Sequence, residues 1–217
     1  MFGPRAAIGR VDRFFADLDR WAIRYLAVVS GGAPRHVHLV SPLSVAGIDW
    51  QERRIRVRTT RRKVEEGPEV EVGAPISRAQ EAEHNRLFRL PPYWGGVSLW
   101  GDQLLPVLLA RTPGSARHGS GAPEIVRLIS TSSLLRSSLH CPEGPIGPVV
   151  DLLMDQDSWA LRFLVVESRG EGPRGKLMVD PAWVESCDLA DNRLYVGLPR
   201  AAIREATEIQ EAMPWKR

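Results

Sequence analysis

Cysteine is nearly absent from this chain: Cys141 and Cys187 are the only two in 217 residues. They stand far apart and outside any C-x-x-C spacing, which excludes a disulfide framework and a paired-cysteine zinc site. Both are read as reduced thiols of a cytoplasmic protein. Long apolar runs are missing as well. The longest, Leu104 to Ala110 and two strand-like stretches, fall well short of the roughly 20 residues that span a bilayer, so the chain is not expected to cross a membrane by itself. Met1-Phe2-Gly3-Pro4-Arg5 has no basic-then-apolar secretory pattern. A G-x-S-x-G nucleophile setting is lacking, and no phosphate cradle is expected. These absences read as a non-enzymatic chain with no cofactor and no metal. Charge of one sign does not dominate either: the net charge is +3, and a sequence pI near 9.2 gives a mildly basic surface.

What is present is a duplication. Trp21-Ala22-Ile23-Arg24-Tyr25-Leu26-Ala27-Val28-Val29 returns 138 residues later as Trp159-Ala160-Leu161-Arg162-Phe163-Leu164-Val165-Val166-Glu167. Around it Gly9 matches Gly147, Val11 matches Val149, and Asp17 and Asp19 match Asp155 and Asp157. After one extra residue in the loop beyond Gly170, Pro42, Val45, Asp49, Arg54 and Val57 match Pro181, Val184, Asp188, Arg193 and Val196. Two related modules are therefore expected, at residues 1–66 and 134–217, joined by a connector at 67–133.

Local signals fill in each module. A strand from Gly9 to Phe15, turn chemistry at Asp17-Leu18-Asp19 and the Trp21 strand predict a hairpin. His36 to Val40 is extended up to Ser41-Pro42, and Arg54-Ile55-Arg56-Val57-Arg58 alternates with period two, which predicts a half-buried strand with its arginines in water. A short helix capped by threonine follows. The second module carries Leu134 to His140 as an extra strand before its glycine, and it closes on a helix from about Arg200 to Ala212 with Ile203, Ala206, Ile209 and Met213 in one stripe. In the connector, Ser77 and Gln80 form a capping box that opens a helix over 78–89. Residues 111–123 are a Gly/Ser/Pro-rich linker.

Ile146-Gly147-Pro148-Val149, Trp159 to Val166 and Val179-Asp180-Pro181, with Ile8-Gly9-Arg10-Val11, Trp21 to Val29 and Val40-Ser41-Pro42, resemble PRC-barrel domains. These are the small β-barrels of photosynthetic reaction centre H subunits and of a ribosome-maturation factor. The connector is similar to that of stand-alone bacterial PRC-barrel proteins at Val64 to Pro68, Pro75 to Arg78 and Pro91 to Trp94. The resemblance implies a mainly β fold with short helices: two PRC-type barrels joined by a helix-containing connector, with Gly9, Trp21, Arg24, Pro42, Gly147, Trp159, Arg162 and Pro181 as structural signature. It also implies a scaffold role. The expected function is that of a subunit docking on the cytoplasmic side of a photosynthetic reaction centre, peripheral on the membrane's inner face. A ribosome- or RNA-associated adaptor is the alternative, and no DNA partner is expected.

Candidate contacts lie where the copies differ. His36 and His38 share a strand face, geometry open to a metal pair, but no third ligand stands nearby, and they are read as a partly buried pair or a surface proton carrier. Arg53, Arg54, Arg56, Arg58, Arg61, Arg62 and Lys63 are the densest basic segment, suited to an acidic protein surface, lipid headgroups or RNA, although aromatics for base stacking are not interleaved. Arg111 and Arg117 add charge to the linker. Arg24 and Arg162, inside apolar strands, are expected to stack on an aromatic and pair with a turn aspartate. The first module, short at its N-terminus, is expected to leave a strand edge open for residues of the connector or a partner to complete.

Overall fold

The aspartate turns and strand periods give a mainly β protein with short helices and a curled half-barrel sheet. The computed structural model describes residues 7–30, 36–70, 76–94, 96–111, 128–169, 175–188 and 190–211. Strands β1 (Arg10–Asp17), β2 (Ala22–Ser30), β3 (His36–Val40), β4 (Val45–Asp49) and β5 (Arg54–Val57) are followed by helices α1 (Arg61–Glu65), α2 (Arg78–Phe88) and α3 (Pro106–Arg111). Then come β6 (Leu128–Ser130), α4 (Thr131–Leu134), β7 (Ser138–Cys141), β8 (Gly144–Met154), β9 (Leu161–Glu167), β10 (Lys176–Val179), β11 (Val184–Asp188), β12 (Arg193–Val196) and α5 (Arg200–Glu211). They form two compact units, residues 1–130 with 156–159 and residues 131–155 with 160–217.

In the first unit an antiparallel sheet runs β3-β2-β1-β6, and β4 and β5 form a separate two-stranded sheet. Phe15, Tyr25, Ala27, Val37, Leu39, Val70, Ile76 and Leu128 make its core. The connector thus supplies core residues as well as strand β6. Phe15, Ala16 and Asp17 pair with Ser130, Ile129 and Leu128, so the edge expected to be open is covered at its far end by connector residues. Both expected caps are present. Ser77 and Gln80 exchange hydrogen bonds at the start of α2, each such cap contributing about 1 kcal/mol, and Thr60 caps α1.

The second unit carries six strands in the order β10-β9-β8-β7-β12-β11. Of the extra strand expected over Leu134 to His140, Ser138 to His140 lie in β7, which pairs in parallel with β12, whereas Leu134 ends helix α4. Strand β8 serves two neighbours in succession: Gly144 to Pro148 pair with β7, and Val149 to Met154 pair with β9. A long strand that changes partner partway curls its sheet. Helix α5 lies on β10, with Ile203 buried and the Thr207 hydroxyl bonded to both backbone groups of Met178. Met213 and the side chain of Ile209 lie outside the described residues.

The duplication extends to backbone irregularities that composition does not reveal. Register shifts fall between Val11 and Arg13 and between Phe15 and Ala16 in β1, and at the equivalent Val149/Asp151 and Leu153/Met154 in β8. The shift between Val45 and Gly47 recurs between Val184 and Ser186. Trp21 and Trp159 both take positive φ, as do Arg53 and its counterpart Asn192. Proline opens a one-turn 3-10 helix in each copy, Pro42–Ser44 capped by Ser41 and Pro181–Trp183 capped by Asp180. Gly9 and Gly147 are required for the same reason: a Cβ on either would collide with a carbonyl of the paired strand, that of Val29 or Glu167.

Gly147→Ala is therefore expected to lower stability by about 1–3 kcal/mol, the usual cost of an overpacked contact. Gly175→Ala, whose Cβ would meet nothing within 4 Å, should change it by less than about 0.5 kcal/mol. Urea unfolding followed by circular dichroism separates the two, and equal effects would remove the steric account of Gly147.

Candidate functional site

The chemistry-bearing side chains of the first unit gather under the connector. Arg24 points inward from β2 and is 1% exposed. A buried guanidinium needs acceptors for its donors and a counter-charge. Its Nε and Nη2 donate to Asp17 Oδ2 at 3.0 and 2.9 Å, and Nη1 donates to the Leu99 carbonyl at 2.7 Å. Its planar group lies 4.0 Å from the Tyr93 ring centroid and 4.7 Å from that of Trp100. Asp17 uses its other oxygen for the hairpin turn, accepting from the Asp19 and Arg20 backbone amides. Arg20, which drew no notice in the sequence, donates to the carbonyls of Gly96, Val97 and Ser98. Two arginines one helical turn apart in number, on a hairpin, thus hold four consecutive carbonyls, 96 to 99. The expectation of a stacked, paired arginine is met at Arg24 and not at Arg162, which is exposed. The aromatic cover comes from the connector, whose described residues up to Ser130 belong to the first unit.

Tyr93 links this group to a second one on α2. Its hydroxyl donates to Glu81 Oε1 at 2.6 Å, while Arg78 Nη1 donates to Glu81 Oε2 at 2.7 Å and stacks on Trp94. The Tyr25 phenol also hydrogen-bonds the carboxyl. Glu81 has no exposed surface. Burial raises its carboxyl to about 7, against the opposing pull of Arg78, the two tyrosine hydrogen bonds and Arg24.

One turn along, His84 is equally buried, stacked on Phe88 and edge-on to Tyr25. Burial pushes its imidazole down to about 4, against the hydrogen bond to the Leu39 carbonyl. Nε2 lies 3.2 Å from the Leu39 carbonyl oxygen, which can only accept, so Nε2 carries the proton and Nδ1 of the neutral ring accepts. Asn85 Oδ1 faces Nδ1 at 3.4 Å while Asn85 Nδ2 is buried without a partner among the described residues. A half-turn of the Asn85 amide satisfies both groups, and we assign it that way.

Of the remaining candidates, only Lys63 is seen against a side chain of this cluster among the described contacts, over Phe88. His36 is exposed and 2.9 Å from the Glu69 carboxylate, whereas His38 is buried with Nδ1 unpartnered among the described residues. Among those residues no group of three His, Cys, Asp or Glu is placed to hold a metal ion. In the basic segment Arg61 and Arg62 pair with Glu65 and Glu66, and Lys63 lies over Phe88. Arg53 occupies the β4–β5 turn, leaving Arg54, Arg56 and Arg58 as an exposed row. The side chain of Arg111, and all of Arg117, lie outside the described residues. Gly170, Gly172 and Gly175 match G-x-G-x-x-G, a match missed in the sequence. The segment joins two strands, β9 and β10, and opens no helix, so the context that makes the pattern a phosphate cradle is lacking; residues 170–174 lie outside the described residues.

Two outcomes follow for stability. Asp17→Asn leaves a buried guanidinium without its counter-charge and is expected to cost about 3 kcal/mol, against less than about 0.5 kcal/mol for the exposed Arg162→Ala; similar losses would show that Arg24 is not held by charge. Glu81 and His84 also give opposite pH slopes. A carboxyl raised from 4.5 to about 7 in the fold makes stability fall as pH rises through that window, because the unfolded chain releases the proton first. An imidazole lowered from 6.5 to about 4 makes stability rise from about 4 to 6.5. The two contributions largely cancel where they overlap. Relative to wild type, Glu81→Gln should gain roughly 1 kcal/mol per pH unit between 4.5 and about 7, and His84→Gln should lose as much between about 4 and 6.5. Chemical denaturation across that range measures both, and a flat difference for Glu81→Gln would mean an ionised Glu81 in the fold.

No model of a known protein family matches this chain, and no curated protein matches it.

Proposed function

We propose that this chain is a tandem PRC-barrel protein that binds other proteins and carries out no reaction of its own, docking as a peripheral subunit on the cytoplasmic side of a photosynthetic reaction centre and stabilising it. The fold part of the reading rests on the repeated register shifts, which fall at equivalent positions in both copies, together with the positive φ shared by Trp21 and Trp159 and the proline-opened turns at Pro42 and Pro181. The binding part rests on where the polar chemistry goes. Asp17, Arg24, Glu81, His84 and Tyr93 spend their hydrogen bonds on one another, on Tyr25, Arg78 and Asn85, and on the backbone, which fixes a shape. The densest run of like charge facing water among the described residues is formed by the arginines of β5 and its flanks. Among the described residues no helix is long and apolar enough to cross a membrane, so membrane association would come through a partner.

The same arginine row supports the second reading, an adaptor for ribosomes or other RNA, since exposed arginines pair with phosphates as readily as with carboxylates. One fractionation tests both. The full chain is expected to co-purify with membrane pigment-protein complexes after nuclease treatment; recovery in ribosomal fractions that nuclease abolishes would assign it to RNA, and recovery only as free protein would overturn both.

A further inference from the structure

The two copies differ at one strand edge. In the second unit β12 is paired on both sides, with β11 and with β7, the parallel register setting Arg193, Leu194 and Tyr195 beside Ser138, Leu139 and His140. In the first unit the equivalent strand β5 pairs with β4 alone, and among the described residues no strand lies on its outer edge. Unpaired N–H and C=O groups along a strand edge are a template for an added strand.

The occupied copy shows what such an edge takes. Leu139 and Leu194 are buried side by side, while Ser138 and His140, flanking Leu139, are only half-buried. Side chains alternate faces along a strand, so the neighbour of β12 reads polar, apolar, polar. On β5 the equivalent residues are Arg54, Ile55 and Arg56, with Ile55 and Val57 half-buried and Arg54, Arg56 and Arg58 exposed. Beside this row Glu52 lies 3.6 Å from Arg54, and Asp49 is the cross-strand neighbour of Arg54 on the β4 side. We infer that the outer edge of β5 binds an extended segment of a partner protein as a parallel strand, a segment in which acidic residues alternate with apolar ones. Its apolar side chains lie beside Ile55 and Val57, and its carboxylates lie beside Arg54, Arg56 and Arg58. This rests on the protein-docking reading and names the chemistry of the docked element.

The test uses the full chain and a fluorescein-labelled peptide of alternating Glu and Val, with binding read by fluorescence anisotropy. The peptide is expected to bind in a salt-sensitive manner, and the Arg54→Glu, Arg56→Glu double variant to lose about tenfold or more in affinity. Both positions are exposed, and an unchanged circular dichroism spectrum confirms folding. Two further peptides, N-methylated on alternate amides in the two possible phases, read the backbone: one phase should abolish binding and the other leave it intact. Equal binding of a peptide with the same residues in separate Glu and Val blocks, indifference to both N-methylated sets, or tighter binding of poly(U) than of the peptide would overturn the inference. So would binding only after deletion of residues 1–6, which would mean that the chain's own N-terminal segment fills the edge. Failure here with membrane co-purification intact leaves docking standing and removes this edge; the reverse result removes the reaction-centre reading and leaves the edge.

Discussion

A buried guanidinium has no tolerance for a missing acceptor, and that constraint at Arg24 orders the first unit. Asp17 must face it, which requires the β1–β2 hairpin to turn where the second Asp17 oxygen can cap it. The Leu99 carbonyl must face it too, which brings the connector down over the sheet. Tyr93 and Trp100 then close the faces of the guanidinium, and Tyr93 in turn fastens Glu81 and helix α2. Removing water from the site makes each bond stronger and each vacancy costlier. The connector is thereby structural material of the unit that precedes it, supplying strand β6, a core leucine and the aromatic lid.

Much of this could be read in advance where the cause is local. The Ser77–Gln80 box, the threonine cap and the alternation of β5 all follow from the chemistry of neighbouring residues, and all are found. What escaped depends on distant partners. Arg24 and Arg162 sit in matching sequence contexts, yet one is buried and the other exposed, because nothing in either stretch encodes the cover that residues 93–100 provide. Glu81 and His84 were overlooked although a signal existed: Glu81, His84, Asn85 and Phe88 fall at i, i+3, i+4 and i+7 of α2, the spacing of a buried helix face, with three polar residues on it. Polar residues on such a stripe mark an interior hydrogen-bond network better than any catalytic motif does.

The second unit solves the same problem with other means. Among its described residues there is no counterpart of the Tyr93 and Trp100 cover, and its core is closed by α5 on one side, where Thr207 serves both backbone groups of Met178, and by β7 within the sheet. Identical bulges with different covers show that a duplicated strand framework constrains the hairpins far more than it constrains what packs on them. Interaction surfaces can therefore diverge between copies while the framework stays fixed.

The bulges also locate where the chain has freedom in length. Equivalence runs at one spacing through β1, β2, β8 and β9 and at one residue more through β4, β5, β11 and β12. The extra residue was taken up in the connection leading into β10, with no shift in the registers on either side. That connection, and its counterpart leading into β3, are the places to splice a fluorescent reporter or an affinity epitope into this protein without rewriting either sheet.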